Sequence, residues 1–374
     1  MRGINPERQD QFRQVLIASL LVFVFEVMIE QPDLAFAHGL IGDRLICHWA
    51  NITPHLLPHN AGLISPASTI VEDELVTMYG RFDTQLMTFV DHRPAELHHK
   101  AKLSCQITMA TMPPVYQTLE QAASYWQVVL RRSGHFLFSA AALTRASAFH
   151  APFRDSISGR VLEINSSTSV YGSPYKVPAG LEAEKAKYLH DIESWSAGFE
   201  VLWQQIRRQD RGQDDSEALV AASILRLYSL YTRILVEGTT FTTECEYDRF
   251  TPWFAEMVQL ARTIDARLRP AYHFHLSTAP PLFVVLMRCR DGRLRREAIA
   301  ILRSSDHDGP WCRYIIAQAG EWIMGVEEEG GLARAAATTT TATAQDSDIP
   351  IPESDRISFT RMLSGMEERK VLVQ

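Results

Sequence analysis

The sequence predicts an all-α protein, a single helical array of about ten helices with disordered loop insertions. Two observations carry that expectation. Long segments repeat their apolar residues at i, i+3, i+4 and i+7, the period of a helix packed along one side. Proline, glycine and capping residues punctuate those segments where a helix must start or stop. The 374-residue chain is 46% hydrophobic and 22% charged, enough apolar content for one large core or two small ones. A formal charge of −7 disfavours direct DNA binding through the chain's own surface. The five cysteines, Cys47, Cys105, Cys245, Cys289 and Cys312, lie more than twenty positions apart. They fit neither a zinc site nor a disulfide framework and read as reduced, buried thiols.

The elements follow in order. Residues 11–30 form a first helix around the apolar run 15–25. Glu26 ends that run short of the roughly 20 residues a spanning helix needs. It therefore reads as a core helix, apolar all round because others surround it. Pro32 and Asp33 stop it and cap a second helix to about residue 49, which makes an antiparallel hairpin. Residues 51–69 read as loop. The next helix, 71–90, buries Leu75, Met78, Tyr79, Phe82, Leu86 and Phe89. Residues 93–111 read as irregular, with His98 and His99 on an exposed turn. Thr118 to Gln121 form a capping box for a helix running toward residue 148.

The Ser-, Gly- and Pro-rich residues 149–180 read as a surface insertion. Residues 182–208 are amphipathic, with Tyr188, Ile192, Trp195, Phe199, Leu202 and Ile206 on the apolar side. Helices follow at 216–236 and 247–268. His273 and His275 lack a carboxylate or cysteine nearby to complete a metal site.

The stretch 280–311 is the most informative. Pro280 and Pro281 fix a helix start, Leu282 to Met287 are apolar, and arginines then crowd 288–303. A helix from about Asp291 places Leu294, Ala298, Ile301 and Leu302 on one stripe. On spacing alone this is a pair of packed helices with a solvated basic face. Gly309 and Pro310 stop the element, and Trp311 opens a helix to Val326. The polar, alanine- and threonine-rich residues 330–349 form a low-complexity, disordered linker, and in the tail 350–374 the residues 354–374 are expected to carry one last helix.

The order of these residues resembles a known family. Pro280, Pro281, Leu282 and Phe283, then Cys289, Arg290 and Asp291, then Leu294, Arg295 and Arg296, and finally Trp311, resemble the C-terminal signature of fungal zinc-cluster transcription factors. The likeness continues through Glu327 and Glu328 to Ile351-Pro352-Glu353 and Arg356. Upstream, Phe25, Glu26, Ala37, His38, Gly39 and Leu40 resemble the family's helical hairpin, residues 81–85 its "RLD.Q" element, and Asp248, Phe250, Phe254, Val258 and Ala261 its "D.F...F..IV..A" helix. The resemblance implies that residues 11–329 are the family's α-helical regulatory domain, acting in the nucleus on transcription, with control of a metabolic or secondary-metabolite gene set as one outcome. The six closely spaced cysteines of the family's zinc finger are absent from this sequence. DNA would then be reached only indirectly, through a full-length zinc-cluster factor or the transcription machinery, as a homo- or heterodimer. No membrane, metal or cofactor is expected.

No phosphate loop, HExxH, GxSxG or kinase signature occurs, so no enzyme is expected. Two other readings remain open. One is a truncated or degenerate paralogue whose finger lies upstream. The other is a helical protein that binds a small apolar ligand or serves a pathway. Arg290, Arg295 and Arg296 are expected to hold the signature together by pairing with Asp291 and the acids 327–329.

Overall fold

The structure, a computed structural model, describes residues 6–29, 31–52, 64–89, 93–143, 177–209, 217–267, 277–304, 307–308, 311–338, 351–357, 362–365 and 370–373. The sequence expectations for 149–176, for His273 and His275, and for 339–349 fall outside these residues. The fold is all-α, with twelve α-helices among the described residues.

The hairpin of α1 (Pro6–Met28) and α2 (Pro32–Ile52) packs with α3 (Asp73–Phe89) around a small core of Leu16, Leu20, Phe23, Trp49, Tyr79 and Phe82. Phe23 and Phe82 meet edge to face at 4.5 Å, and Tyr79 donates to the Leu16 carbonyl at 2.9 Å. The close approach of the hairpin requires Gly42, where an added Cβ would overlap Ser19 and Tyr79.

A larger core is shared by α6 (Leu119–Leu143), α7 (Leu181–Gln209), α8 (Glu217–Gly238), α9 (Thr251–Arg267), α10 (Ala279–Arg288) and α11 (Gly292–Arg303). All six apolar positions expected on α7 are buried. Trp195 stacks on Phe199 at 4.7 Å, lies 4.6 Å from Trp126, and donates its indole N–H to the Ala122 carbonyl at 2.9 Å. The start of α6 is capped as its sequence requires: Thr118 Oγ1 accepts from Gln121 N at 3.1 Å. The Gln121 side chain returns to Gln117 N rather than to Thr118. The closing helix, α12 (Arg313–Thr338), packs on α10 and α11.

Several sequence expectations are corrected. Helix α1 is not the centre of the array. Leu16, Leu20 and Phe23 are buried, while Val15, Leu21, Val22, Phe25 and Met28 are exposed. Its segment Asp10–Met28 is long and apolar enough to cross a membrane by length and composition, as is α8, which is mostly buried. Glu26 lies within that segment and does not end it, and its carboxylate sits 2.7 Å from His38 Nδ1. Residues 93–111 are not irregular but carry α4 (Ala95–Ala101) and α5 (Gln106–Ala110). Trp311 does not open a helix. It pairs with Asp308 in a two-residue ribbon, β1 (His307–Asp308) with β2 (Trp311–Cys312), and α12 starts after it. Helix α12 also continues through residues 330–338, which alanine permits despite the glycine pair. Among the described residues of the tail, β3 (Met362–Gly365) pairs antiparallel with β4 (Lys370–Val373), where a last helix is expected from the sequence. Among the described thiols only Cys289 is buried; Cys47 and Cys245 are exposed.

Replacing Trp195 with alanine removes the ring that joins α6 to α7. The expected cost is about 3–5 kcal/mol, measured as a lower urea midpoint, with Gln204→Ala on the exposed face of α7 as the near-neutral control.

Candidate functional site

Two arginines of the signature converge on one buried carboxylate, Glu327. Pro280 and Pro281 occupy the first turn of α10, where a missing N–H costs nothing, and Leu282 is fully buried with Phe283 beside the core. Helix α10 ends at Cys289, whose burial pushes its thiol up to about 11. Asp291 then caps α11, its Oδ1 accepting from Leu294 N at 2.9 Å. Asp291 is therefore committed to backbone, and the arginines pair elsewhere. Leu294, Ala298, Ile301 and Leu302 bury the expected stripe. Arg295, fully buried on α11, donates to Glu327 Oε2 at 2.7 Å, and Arg290 approaches Glu327 Oε1 at 2.9 Å. Arg296 meets Glu328 at the surface at 3.0 Å. Trp311 stands apart in its ribbon.

Two more distant segments close on the same cluster. Glu244, on the 3₁₀ turn Glu244–Phe250, pairs with Arg288 and reaches Arg290 at 3.5 Å. Burial pushes its carboxyl above the usual range, against the pull of both arginines. The tail residues 351–357 lie across this turn. Glu353 accepts from Glu244 N and Cys245 N, both at 2.8 Å, and so caps the turn from the other end of the chain. Arg356 makes a two-pronged contact with Asp248 at 2.7 and 2.8 Å and donates to the Ile351 and Glu244 carbonyls. Ile357 N donates to Glu327 Oε1 at 2.8 Å. Glu327, fully buried, thus serves two guanidinium groups and one backbone N–H.

A second polar cluster, invisible to sequence reading, joins the small core to the large one. Arg93 lies between Asp83 of α3 at 2.6 Å and Asp43 of α2 at 3.3 Å. His135 of α6 places Nε2 3.3 Å from Asp83, and its Nδ1 is 2.9 Å from His98 Nδ1 on α4. His98 is thus buried, not on an exposed turn, and its ring stacks on Phe138 at 4.9 Å. Burial lowers the His135 imidazole below its ordinary value, Asp83 opposing. Burial alone would raise the Asp83 carboxyl, but Arg93 and His135 outweigh it and hold it far below the usual range. A neutral His135 fixes the tautomers by this bonding: His98 Nδ1–H donates to His135 Nδ1, and His135 Nε2–H donates to Asp83. Just past the end of α4, buried Lys102 pairs with Glu184 of α7 at 2.7 Å and donates to Ser139 at 2.9 Å. None of these pairs has a spacing that the sequence displays.

Among the described residues no group of three or more His, Cys, Asp or Glu side chains could hold a metal ion. Both clusters consist of groups bonded to one another, which gives them the character of structural clasps. No family model, curated protein or solved structure matches the chain.

Replacing Glu327 with glutamine takes the carboxylate from fully buried Arg295 and leaves Arg290 only Glu244 at 3.5 Å, and is expected to cost about 3–5 kcal/mol in chemical denaturation. Arg295→Met should cost less, because Glu327 keeps Arg290 and Ile357 N. Arg296→Ala should cost no more than about 1 kcal/mol, its pair being exposed to solvent.

The histidine cluster sets a pH response. His135 is neutral when folded, and the unfolded chain takes up its proton below the ordinary 6.5, so this stability is present above 6.5 and lost as pH falls toward the folded value. Asp83 adds a second loss below its ordinary 3.8. The urea midpoint should therefore drop between about pH 7.5 and 5.5, and His135→Gln should flatten that window. Equal pH dependence in both proteins would show that other groups govern it.

Proposed function

We propose that the chain is a transcriptional regulator of the fungal zinc-cluster type, represented by its helical regulatory region. It acts in the nucleus through protein partners, either a full-length zinc-cluster factor or the transcription machinery, and meets DNA only through them. One observation supports this reading above others. The pieces of sequence that carry the resemblance, Asp248, residues 289–296, Glu327 and Glu328, and residues 351–356, are far apart in the chain yet bonded into one cluster. Motifs that agree in order only by chance have no reason to meet in space.

The indirect route to DNA is supported by charge. The arginine-dense stretch is the one basic run in an acidic chain, and all its arginines but the exposed Arg293 are already engaged. Arg288 and Arg290 face Glu244, Arg290 and Arg295 face Glu327, Arg296 faces Glu328, and Arg303 faces Glu321 at 2.6 Å. Guanidinium groups held this way are not presented as a row to a phosphate backbone.

The test is to fuse the whole chain to an unrelated DNA-binding module and place the module's site before a reporter gene in fungal cells. A reproducible change in reporter output, in either direction, relative to the module alone is the expected result. Glu327→Gln should abolish it in proportion to its loss of folded protein. A reporter that does not respond, with the fusion accumulating normally in the nucleus, would refute the proposal.

A further inference from the structure

Helix α1 carries two apolar stripes on opposite faces. Leu16, Leu20, Phe23 and Val27 turn toward α2 and α3, and the first three are buried. Val15, Ala18, Val22, Phe25 and Ile29 turn the other way and are all exposed. Their spacing of 3, 4, 3 and 4 is the heptad seam that packs against another helix at a shallow angle. Leu21 and Met28, 65% and 67% exposed, widen this seam on one side. On the other side, Glu26 bonds His38 of α2, and exposed Leu34 and Ile41 stand one turn either side of that histidine. The result is one apolar surface shared by both helices of the hairpin.

We propose that this surface is a homodimer interface, in which the α1–α2 hairpins of two copies of the chain pack across a two-fold axis into a four-helix arrangement. Three observations select a second copy. The exposed parts of Val15, Leu21, Val22, Phe25, Met28, Ile29, Leu34 and Ile41 amount to roughly 800 Å², about what each partner contributes to a standard stable interface. The seam has helix-packing periodicity, so a helix of the same kind fits it, and a two-fold axis brings the patch onto itself. Charge speaks against a lipid surface: α1 and α2 are not rich in lysine or arginine, and an interfacial helix on an anionic membrane needs a basic polar face. Crossing a bilayer would also require α1 to abandon the Tyr79–Leu16 bond, the Arg13–Glu72 pair at 2.6 Å and the Glu26–His38 contact. This inference stands apart from the transcriptional reading, since either can fail without the other.

Light scattering during size-exclusion chromatography of the full chain tests it. The expected mass is twice that of the chain, and Leu21→Glu combined with Phe25→Glu should return it to a monomer with unchanged helical circular dichroism. A position on the seam near a two-fold axis meets its own copy, so Val22→Cys in a Cys47→Ser, Cys245→Ser background should form an oxidised dimer band that this background alone lacks, which serves if the glutamate variant fails to fold. A parent protein that stays monomeric at about 100 μM, well above the Kd of a standard interface, would overturn the proposal. So would a glutamate variant that folds and remains dimeric. A monomer that co-sediments with phosphatidylcholine vesicles, and loses that property in the glutamate variant, would assign the surface to lipid.

Discussion

The buried carboxylate of Glu327 is the constraint on which the C-terminal half depends. A carboxylate removed from water costs several kcal/mol unless its oxygens are met, and here three donors from three places meet them: Arg290 after α10, Arg295 on α11 and Ile357 N in the tail. Each donor is held in turn. Arg290 also faces Glu244, which opens the turn before α9, and the tail carrying Ile357 is fixed to that turn through Arg356 and Glu353. The loop of contacts closes on itself. A slip of α12 by one residue would leave buried charges on both sides, so the pairing sets register more than it adds net stability. The apolar stripes of α10 and α11 supply the driving force, and the ion pairs select one way of satisfying it.

The same logic operates at the junction of the two cores. Arg93 shares Asp43 and Asp83, His135 bonds Asp83, and His98 bonds His135, linking α2, α3, α4 and α6. An apolar junction would tolerate sliding, because burial is indifferent to direction. A chain of hydrogen bonds with assigned tautomers does not. The α1–α3 unit is thereby held to the larger core at a defined angle, by groups whose charges depend on pH. The more acidic the medium, the less this junction favours the native arrangement.

Legibility in the sequence divided along physical lines. Helix α7 could be read residue by residue because a one-sided helix writes its burial at a period of 3.6, and Asp291 marked the start of α11 because a cap acts within three residues. The pairing of Arg295 and Arg296 with the acids of α12 was expected from charge, although Asp291, expected as a partner, was taken by the backbone. What escaped was information that no local pattern holds. The sequence says that α1 is apolar all round, but not that only one of its two stripes is covered. His98 lies on a seven-residue helix too short to show a period, and its partner His135 is 37 positions away. Trp311 looked like a helix opener because a large apolar residue fits either role, and Asp308 pairs it into a ribbon instead.

A consequence follows for where function resides. The charged members of the signature are engaged inside the molecule. Arg290 and Arg295 are spent on Glu327, Arg296 on Glu328, and Asp291 on the first turn of its own helix. A motif consumed in this way describes how the domain folds, and it offers little to a partner. Contacts with other molecules must then be made by surfaces the signature does not include. The outward stripe of α1 is such a surface: its side chains contribute little to the small core, and in water their exposure is a standing cost that association removes. In this chain the part most recognisable in sequence is the clasp, and the part best suited to binding is a hairpin whose outer face only the three-dimensional structure distinguishes from its inner one.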